Sequence, residues 1–180
     1  ETESGYLLIE TDTGLVTVNP RAARERIAFE ALLAADQPVS QPLLIPETVR
    51  MSPPDFARLK NYADVVRKLG FSLEEFGTDT WKIDAVPQIL GGIAAGGVLA
   101  SLAADIAEAG PKRGGARGRE ELIARSVASS YAGASRKLTP EGATKLVEEL
   151  AATAMPYVCP RGRPTMIFTS NRELDRKFAR

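Results

Sequence analysis

Residues 14–30, GLVTVNPRAARERIAFE, carry the clearest structural signal in the chain. The run LVTV is rich in β-branched residues and predicts a strand. Asn19 suits a helix N-cap and Pro20 suits the first helical position, so a helix is predicted to begin there and to run to about Ala35. A strand that leads directly into a helix indicates a mixed architecture.

The segments on either side of this stretch extend the same pattern. Residues 6–11, YLLIET, predict a partner strand, so that a hairpin closes through the three-residue loop Asp12-Thr13-Gly14. Further strands are predicted at 47–51, 71–76, 80–86 and 165–169, and further helices at 52–70, 98–108, 120–134, 140–152 and 171–178. Strands and helices alternate irregularly, which indicates an α+β fold.

The composition excludes several classes of protein. The 180 residues include 23 Lys+Arg and 23 Asp+Glu, so bulk charge gives no attraction to nucleic acid. The chain has no histidine, which removes the Ser-His-Asp triad and imidazole ligands for zinc. A single cysteine cannot form an internal disulfide and favours an intracellular protein. The chain begins at Glu1 and is expected to be a fragment or a processed product.

Three segments in this order and spacing carry a family resemblance. They are residues 14–30, the hexapeptide QPLLIP at 41–46, and CPRGRPTM at 159–166. Together they resemble the C-terminal domain of the MutL family of DNA mismatch repair proteins. The strand WKIDAVP at 81–87 is similar to a mid-chain strand of that domain, and the resemblance covers nearly the whole chain.

The resemblance implies a homodimerisation module of a larger ATPase. Residues 1–40 and 115–180 would form the dimerising subdomain, with contacts from the first hairpin and the strand near 165–169, and residues 41–114 would form an external, regulatory subdomain. The implied partners are a second copy, the mismatch recognition protein MutS, the replicative sliding clamp and, weakly, DNA, with no membrane. No cofactor is expected in this segment, because ATP and Mg²⁺ would bind an absent N-terminal domain. The implied location is the bacterial cytoplasm, near the nucleoid.

The resemblance also implies a metal-dependent nicking site, whose residues this sequence has largely lost. Arg21 and Arg24 stand where many members of the family carry histidines, and Arg161 replaces a third. Glu25 and Cys159 remain. Arginine stays protonated and offers no lone pair, so two surviving ligands fall short of the three or four that zinc needs. The sequence therefore predicts no catalytic residue and no metal.

Four interpretations of Arg21, Arg24 and Glu25 stay open. They form a solvated helix face with weak local ion pairs. A guanidinium replaces the lost metal, pairs with Glu25 and braces the helix against the late motif. Arg21, Arg24 and Arg161 contact DNA phosphates. A degenerate nicking nuclease survives that uses Glu25, Cys159 and unrecognised carboxylates. This nuclease is the alternative to a domain that serves only dimerisation and partner binding. Cys159 itself is expected to be small and buried.

The hexapeptide at 41–46 has two interpretations that are compatible with each other. A glutamine followed by an apolar trio resembles the short peptide with which repair proteins bind the sliding clamp, and the family uses this segment in that way. Such a peptide lays apolar side chains into a pocket while its amide hydrogen-bonds at the rim. The alternative is a strand that enters the core. The residues concerned are Gln41, Leu43, Leu44, Ile45 and Pro46.

Two glycine-rich stretches complete the sequence. Residues 110–119 are predicted to be a flexible basic loop, either simply solvated or in weak contact with DNA through Lys112, Arg113, Arg117 and Arg119. Residues 91–97 are predicted to be a mobile linker or a surface that packs closely on a partner. They lack the glycine order of a nucleotide-binding turn.

Overall fold

The computed structural model describes residues 5–35, 38–110, 115–134 and 138–179. Two small sheets and a set of helices confirm the predicted α+β class. The strands are β1 (Leu7–Thr11), β2 (Gly14–Val18), β3 (Ser40–Arg50), β4 (Ser72–Glu75), β5 (Thr80–Pro87) and β6 (Met166–Ser170). The helices are α1 (Pro20–Ala34), α2 (Pro53–Lys60), α3 (Ala63–Lys68), α4 (Ala95–Ala109), α5 (Gly115–Gly133), α6 (Pro140–Ala151) and α7 (Asn171–Lys177), with a 3-10 turn at Gln88–Leu90.

The first sheet joins the two ends of the described chain. Its antiparallel order is β1-β2-β6, so the late strand β6 pairs with the second strand of the hairpin. Asn19 caps α1 as predicted, since its side-chain oxygen accepts the N–H of Ala22 at 3.1 Å. The predicted passage from β2 through a cap into α1 is therefore confirmed.

The hairpin turn differs from the prediction in one respect. Thr11 pairs with Gly14, so the loop contains only two residues and Gly14 belongs to β2. A Cβ atom at Gly14 would lie 2.3 Å from the backbone oxygen of Thr169. The glycine is thus required by the close approach of β6 and not by the turn, a constraint that a local sequence pattern does not contain.

One face of the first sheet forms a core with α1 and α6. Leu7 and Val18 lie opposite each other on β1 and β2 and point to this face. They pack with Ala23 of α1 and with Leu146 and Leu150 of α6. Because side chains alternate along a strand, the neighbouring residues of β1 and β6 point to the other face of the sheet.

The second sheet has the order β3-β5-β4, with β5 in the centre. The predicted pairing of 71–76 with 80–86 is confirmed by β4 and β5. Trp81 on β5 is fully buried and stacks on Phe56 of α2, with ring centroids 4.9 Å apart. β3 is an edge strand, so one of its long sides has no strand partner among the described residues.

Several predicted elements were wrong in extent, and β3 begins at Ser40 where the sequence predicted a strand from residue 47. The single helix expected at 52–70 is two helices, because Tyr62, at φ −113° and ψ 2°, leaves the helical region between α2 and α3. Part of the basic loop expected at 110–119 is helical, since α5 begins at Gly115. Residues 111–114 lie outside the described residues.

The chain divides into two compact units. One contains residues up to Glu30 together with those from Ser135 onwards, and the other contains Ala31–Ala134. The family resemblance implied boundaries at residues 40 and 114 instead. In the structure the first boundary falls within α1, and α5 belongs to the second unit. No helix among the described residues is long and apolar enough to cross a membrane.

Candidate functional site

The carboxylate of Glu25 is the most unusual feature of the first helix. Its side chain is 0 % exposed, although a charged group is rarely buried without a partner. Arg21, one turn earlier, is exposed, and Arg24 is half-buried. The three positions singled out on α1 therefore face three different environments.

The late CPRGRP segment folds into a tight turn near the end of the chain. Val158 and Pro164 form an isolated bridge across it, and the N–H of Cys159 donates to the backbone oxygen of Arg163 at 2.8 Å. Gly162 at the tip has φ +80°, a conformation that favours glycine. This turn projects the side chains of Arg161 and Arg163 from one short piece of backbone.

Both arginines of this turn reach Glu25. Arg163 donates a hydrogen bond from its terminal guanidinium nitrogen to Glu25 Oε2. The Nε atom of Arg161 lies 3.4 Å from Glu25 Oε1, which is an ion pair without hydrogen-bond geometry. A buried carboxylate thus has two cationic partners supplied by a turn about 136 to 138 residues further along the chain.

Cys159 completes this cluster. It is a free, buried cysteine, as the sequence analysis expected. Hydrogen bonding to the Cys159 side chain raises the pKa of Arg163, and the charge of Glu25 acts in the same direction. Arginine is protonated at all ordinary pH values, so the positive charge beside Glu25 is permanent.

A second set of contacts ties α1 to the segment before the turn. Arg26, which is almost fully buried, donates from Nε to the backbone oxygen of Val158 at 2.7 Å. The carboxylate of Glu30 accepts the backbone N–H groups of Ala154 at 2.7 Å and of Met155 at 3.2 Å. Arg26 and Glu30 also pair with each other at 3.4 Å. α1 therefore holds residues 154–163 along two of its turns.

Sequence reasoning missed part of this arrangement. Glu25, Cys159 and Arg161 were singled out, and the structure brings these three together. Arg163, Arg26 and Glu30 were not singled out as site residues. The two arginines spaced by one residue in CPRGRP were the only available signal for Arg163, because its partner lies far away in the sequence.

The donor set of the cluster does not fit a resident divalent metal. Both oxygens of Glu25 face guanidinium groups, and the remaining candidate ligand, Cys159, interacts with one of the same arginines. Among the residues that the structure describes, no group of three or more His, Cys, Asp or Glu residues could hold a metal ion. A dication at Glu25 would have to displace two permanent cations.

The hexapeptide forms a second candidate site, in the other unit. In β3, Pro42 lies opposite Ala85 and Glu47 lies opposite Ile83, so residues 43–46 face the single residue Asp84. This large bulge lifts four residues out of the strand ladder. Leu44 is fully exposed and Ile45 is 80 % exposed, whereas Leu43 is half-buried, and Gln41 and Pro46 are exposed. The hexapeptide is therefore part of a strand whose apolar middle points into solvent.

Only two of the four basic residues of the predicted loop lie within the described part of the chain. Arg117 and Arg119 are exposed on the first turns of α5, and Arg117 pairs with Glu121 at 3.3 Å. Lys112 and Arg113 lie outside the described residues. Half of the predicted basic cluster is thus helical.

Comparison with known proteins agrees with a domain that joins subunits. Residues 2–138 match the family described as the MutL C terminal dimerisation domain. A DNA mismatch repair protein MutL of Geotalea uraniireducens is 35 % identical over 98 % of this chain, which spans 30 % of that relative. The MutL of Rhizobium rhizogenes is 35 % identical over 97 % of the chain, which spans 29 % of that relative.

The family match defines the class first: this is a dimerisation domain. The chain belongs to the MutL C-terminal dimerisation domain family. It spans about a third of the length of the curated relatives that it matches.

Replacing Arg163 with alanine removes the hydrogen-bonded partner of a buried charge. We expect Arg163→Ala to lower the free energy of unfolding by about 2 kcal/mol, since it removes one of the two arginines that pair with the buried Glu25 carboxylate and leaves Arg161. Urea denaturation followed by circular dichroism measures this change. Arg21→Ala, an exposed change on the same helix, is the matched control and should cost under ~0.5 kcal/mol. Equal stability of the two variants would contradict the assigned role of Arg163.

Proposed function

We propose that this chain joins two copies of a mismatch repair protein and presents a peptide to the replicative sliding clamp, without cutting DNA itself. The single observation that best supports this proposal is that each unit exposes apolar side chains on a strand, on the outer face of the first sheet and in the bulge of β3. The joining surface lies in the first unit, and the peptide lies in the second.

The outer face of the first sheet is the proposed contact between copies. Leu8, Thr17 and Ile167 lie side by side across the three strands. Their side chains are on the face of the sheet opposite to the one that packs on α1 and α6. Leu8 is 53 % exposed and Ile167 is 59 % exposed. Leu15 continues the row toward the hairpin turn. Neighbouring exposed apolar residues on a sheet favour association, and membership of a dimerisation family makes a second copy the occupant.

The exposed bulge of β3 is the proposed clamp contact. Leu44 and Ile45 are too exposed to contribute to the core of this chain, which argues against the alternative of a strand buried there. The segment lies on an edge strand, where no neighbouring strand among the described residues obstructs access. An extended peptide with projecting apolar side chains suits an apolar pocket on a partner.

The absence of nicking is supported by the chemistry around Glu25. Metal-assisted cleavage of a phosphodiester needs a carboxylate and further neutral or anionic ligands around the ion. Here the carboxylate is neutralised by Arg161 and Arg163. The cluster instead acts as an internal brace between α1 and the late turn.

Charge placed on the outer face of the sheet should separate the copies. We expect Leu8→Glu with Ile167→Glu to sediment as a monomer at micromolar concentration, because two carboxylates would be desolvated in the contact. The wild type should sediment as a dimer. Leu44→Glu is a matched exposed control and should remain dimeric. A variant that stays dimeric with both charges in place would contradict the proposed surface.

The clamp contact has a reciprocal test. We expect Leu44→Glu to weaken binding of the purified sliding clamp by at least about tenfold, because the leucine is the most exposed apolar residue of the bulge. The double variant Leu8→Glu, Ile167→Glu should keep the affinity with which each single hexapeptide segment binds the clamp. Surface plasmon resonance with immobilised clamp measures both. Unchanged binding of Leu44→Glu would remove the clamp proposal.

Relaxation of supercoiled plasmid with Mn²⁺ tests the proposed lack of nicking. We expect the wild type and Glu25→Gln to show the same background level of plasmid nicking, with and without a chelator. The reason is that the two guanidinium groups already pair with the Glu25 carboxylate. Nicking by the wild type that is lost in Glu25→Gln and in chelator would establish the nuclease alternative.

A further inference from the structure

The side chain of Gln41 rests against a glycine. Gln41 lies opposite Val86 on β5, and a Cβ atom at Gly91 would lie 2.9 Å from Gln41 Oε1. That separation is shorter than a real Cβ contact, so any larger residue at 91 displaces the amide. The second contact of such a Cβ, 3.2 Å to the backbone oxygen of Gln88, needs only a small shift.

The backbone of Gly91 does not itself require glycine. Its φ of −47° and ψ of 122° lie in a region of backbone conformation that residues with a side chain also adopt. Alanine would therefore fit the chain at this position, and the atom it displaces is the far end of a flexible side chain. The missing Cβ at 91 thus affects the conformation of Gln41 more than the fold.

The other end of the bulge is held by a carboxylate. Glu47 Oε2 accepts the backbone N–H of Gly96 at 3.0 Å. Gly96 lies in the first turn of α4, whose N-cap residue, Ala94, provides no side-chain hydrogen bond. A carboxylate from β3 therefore satisfies a free N–H group of the helix and is favoured by the helix dipole.

The close approach of β3 and α4 also depends on a missing side chain. A Cβ atom at Gly96 would lie 3.2 Å from Val49 Cγ2. The stretch at 91–97 was expected to be a mobile linker or a surface that packs closely on a partner. At Gly91 and Gly96 it packs on β3 of the same chain, and from Ala95 onwards it is helical.

We propose that Gly91 and Glu47 are positioning residues for the exposed segment between Gln41 and Pro46. Gly91 leaves free the space that the Gln41 amide occupies at one end of the segment. Glu47 fixes the other end through the N–H of Gly96. The inference rests on the proposed function, in which this segment binds the sliding clamp. Holding both ends lowers the conformational entropy that the segment loses on binding, so the two residues raise affinity without touching the partner.

The first experiment measures clamp affinity for Gly91→Ala in the intact protein. We expect about tenfold weaker binding of purified sliding clamp, because the displaced amide must be reordered on binding. Gly97→Ala is the matched control, since a Cβ there meets no atom within 4 Å, and it should bind as the wild type does. Thermal unfolding of each variant should show that the fold is retained.

A double-mutant cycle separates positioning from a general structural effect. If Gly91 acts through the Gln41 amide, Gly91→Ala should add no further loss to Gln41→Ala. A loss that is fully additive in the double variant would overturn this part of the inference, because it would show that Gly91 acts elsewhere.

Glu47 provides an independent arm. Glu47→Ala should weaken clamp binding by about fivefold to tenfold, whereas Glu47→Gln should retain most of the affinity because its amide oxygen accepts the same N–H. Equal losses in the two variants would overturn the assigned role of the hydrogen bond. This arm stands even if Gly91→Ala unfolds.

Failure of the inference is distinguishable from failure of the proposed function. Clamp binding that survives in both Gln41→Ala and Leu44→Glu would remove the proposed function and the inference with it. Binding that is lost in those two variants but unchanged in Gly91→Ala and Glu47→Ala would overturn the positioning roles alone, and the clamp contact would stand.

Discussion

The buried carboxylate of Glu25 is the constraint on which the first unit depends. A buried charge without partners costs several kcal/mol, so the fold must deliver cations to it. They come from Arg161 and Arg163, on a turn near the other end of the chain. The pairing of β2 with β6 requires the same approach of the two ends. Electrostatics and strand pairing therefore demand one arrangement, and each reinforces the other.

The identity of those cations changes what the site can do. The family resemblance implied a divalent ion at this position, bound by neutral or anionic ligands. A guanidinium satisfies the carboxylate with directional hydrogen bonds and carries a charge that no accessible pH removes. It also comes covalently attached to the segment that it braces. The contact between α1 and the late turn is thereby independent of any bound ion, which suits a domain whose family joins subunits.

In the second unit, the corresponding feature is a part of β3 that is not paired with its neighbouring strand. Leu44 and Ile45 are exposed because four residues of β3 face a single residue of β5. Exposed apolar side chains favour non-specific association unless their placement restricts the partner. Here the bulge that carries them is bounded by paired residues on both sides. Gly96 omits a side chain that would crowd Val49 of β3.

The local elements of this protein followed from its sequence. Asn19, Pro20 and the β-branched run before them identified the passage from β2 to α1, because capping and strand propensity act between near neighbours. The pairing of β4 with β5 was predicted for the same reason. The break at Tyr62 was missed, since no glycine or proline marks it and it depends on what the two short helices bury.

The long-range features were decided only by the tertiary structure. The sequence singled out Glu25 as a surviving ligand and left open whether a guanidinium would neutralise it. Which arginines do so depends on a contact across more than 130 residues. The glycines at 14 and 96 gave no local sign of their roles, because each is closely approached by an atom from a distant strand. Local propensity is encoded between neighbours in the chain, whereas charge pairing and close approach arise only when remote segments meet.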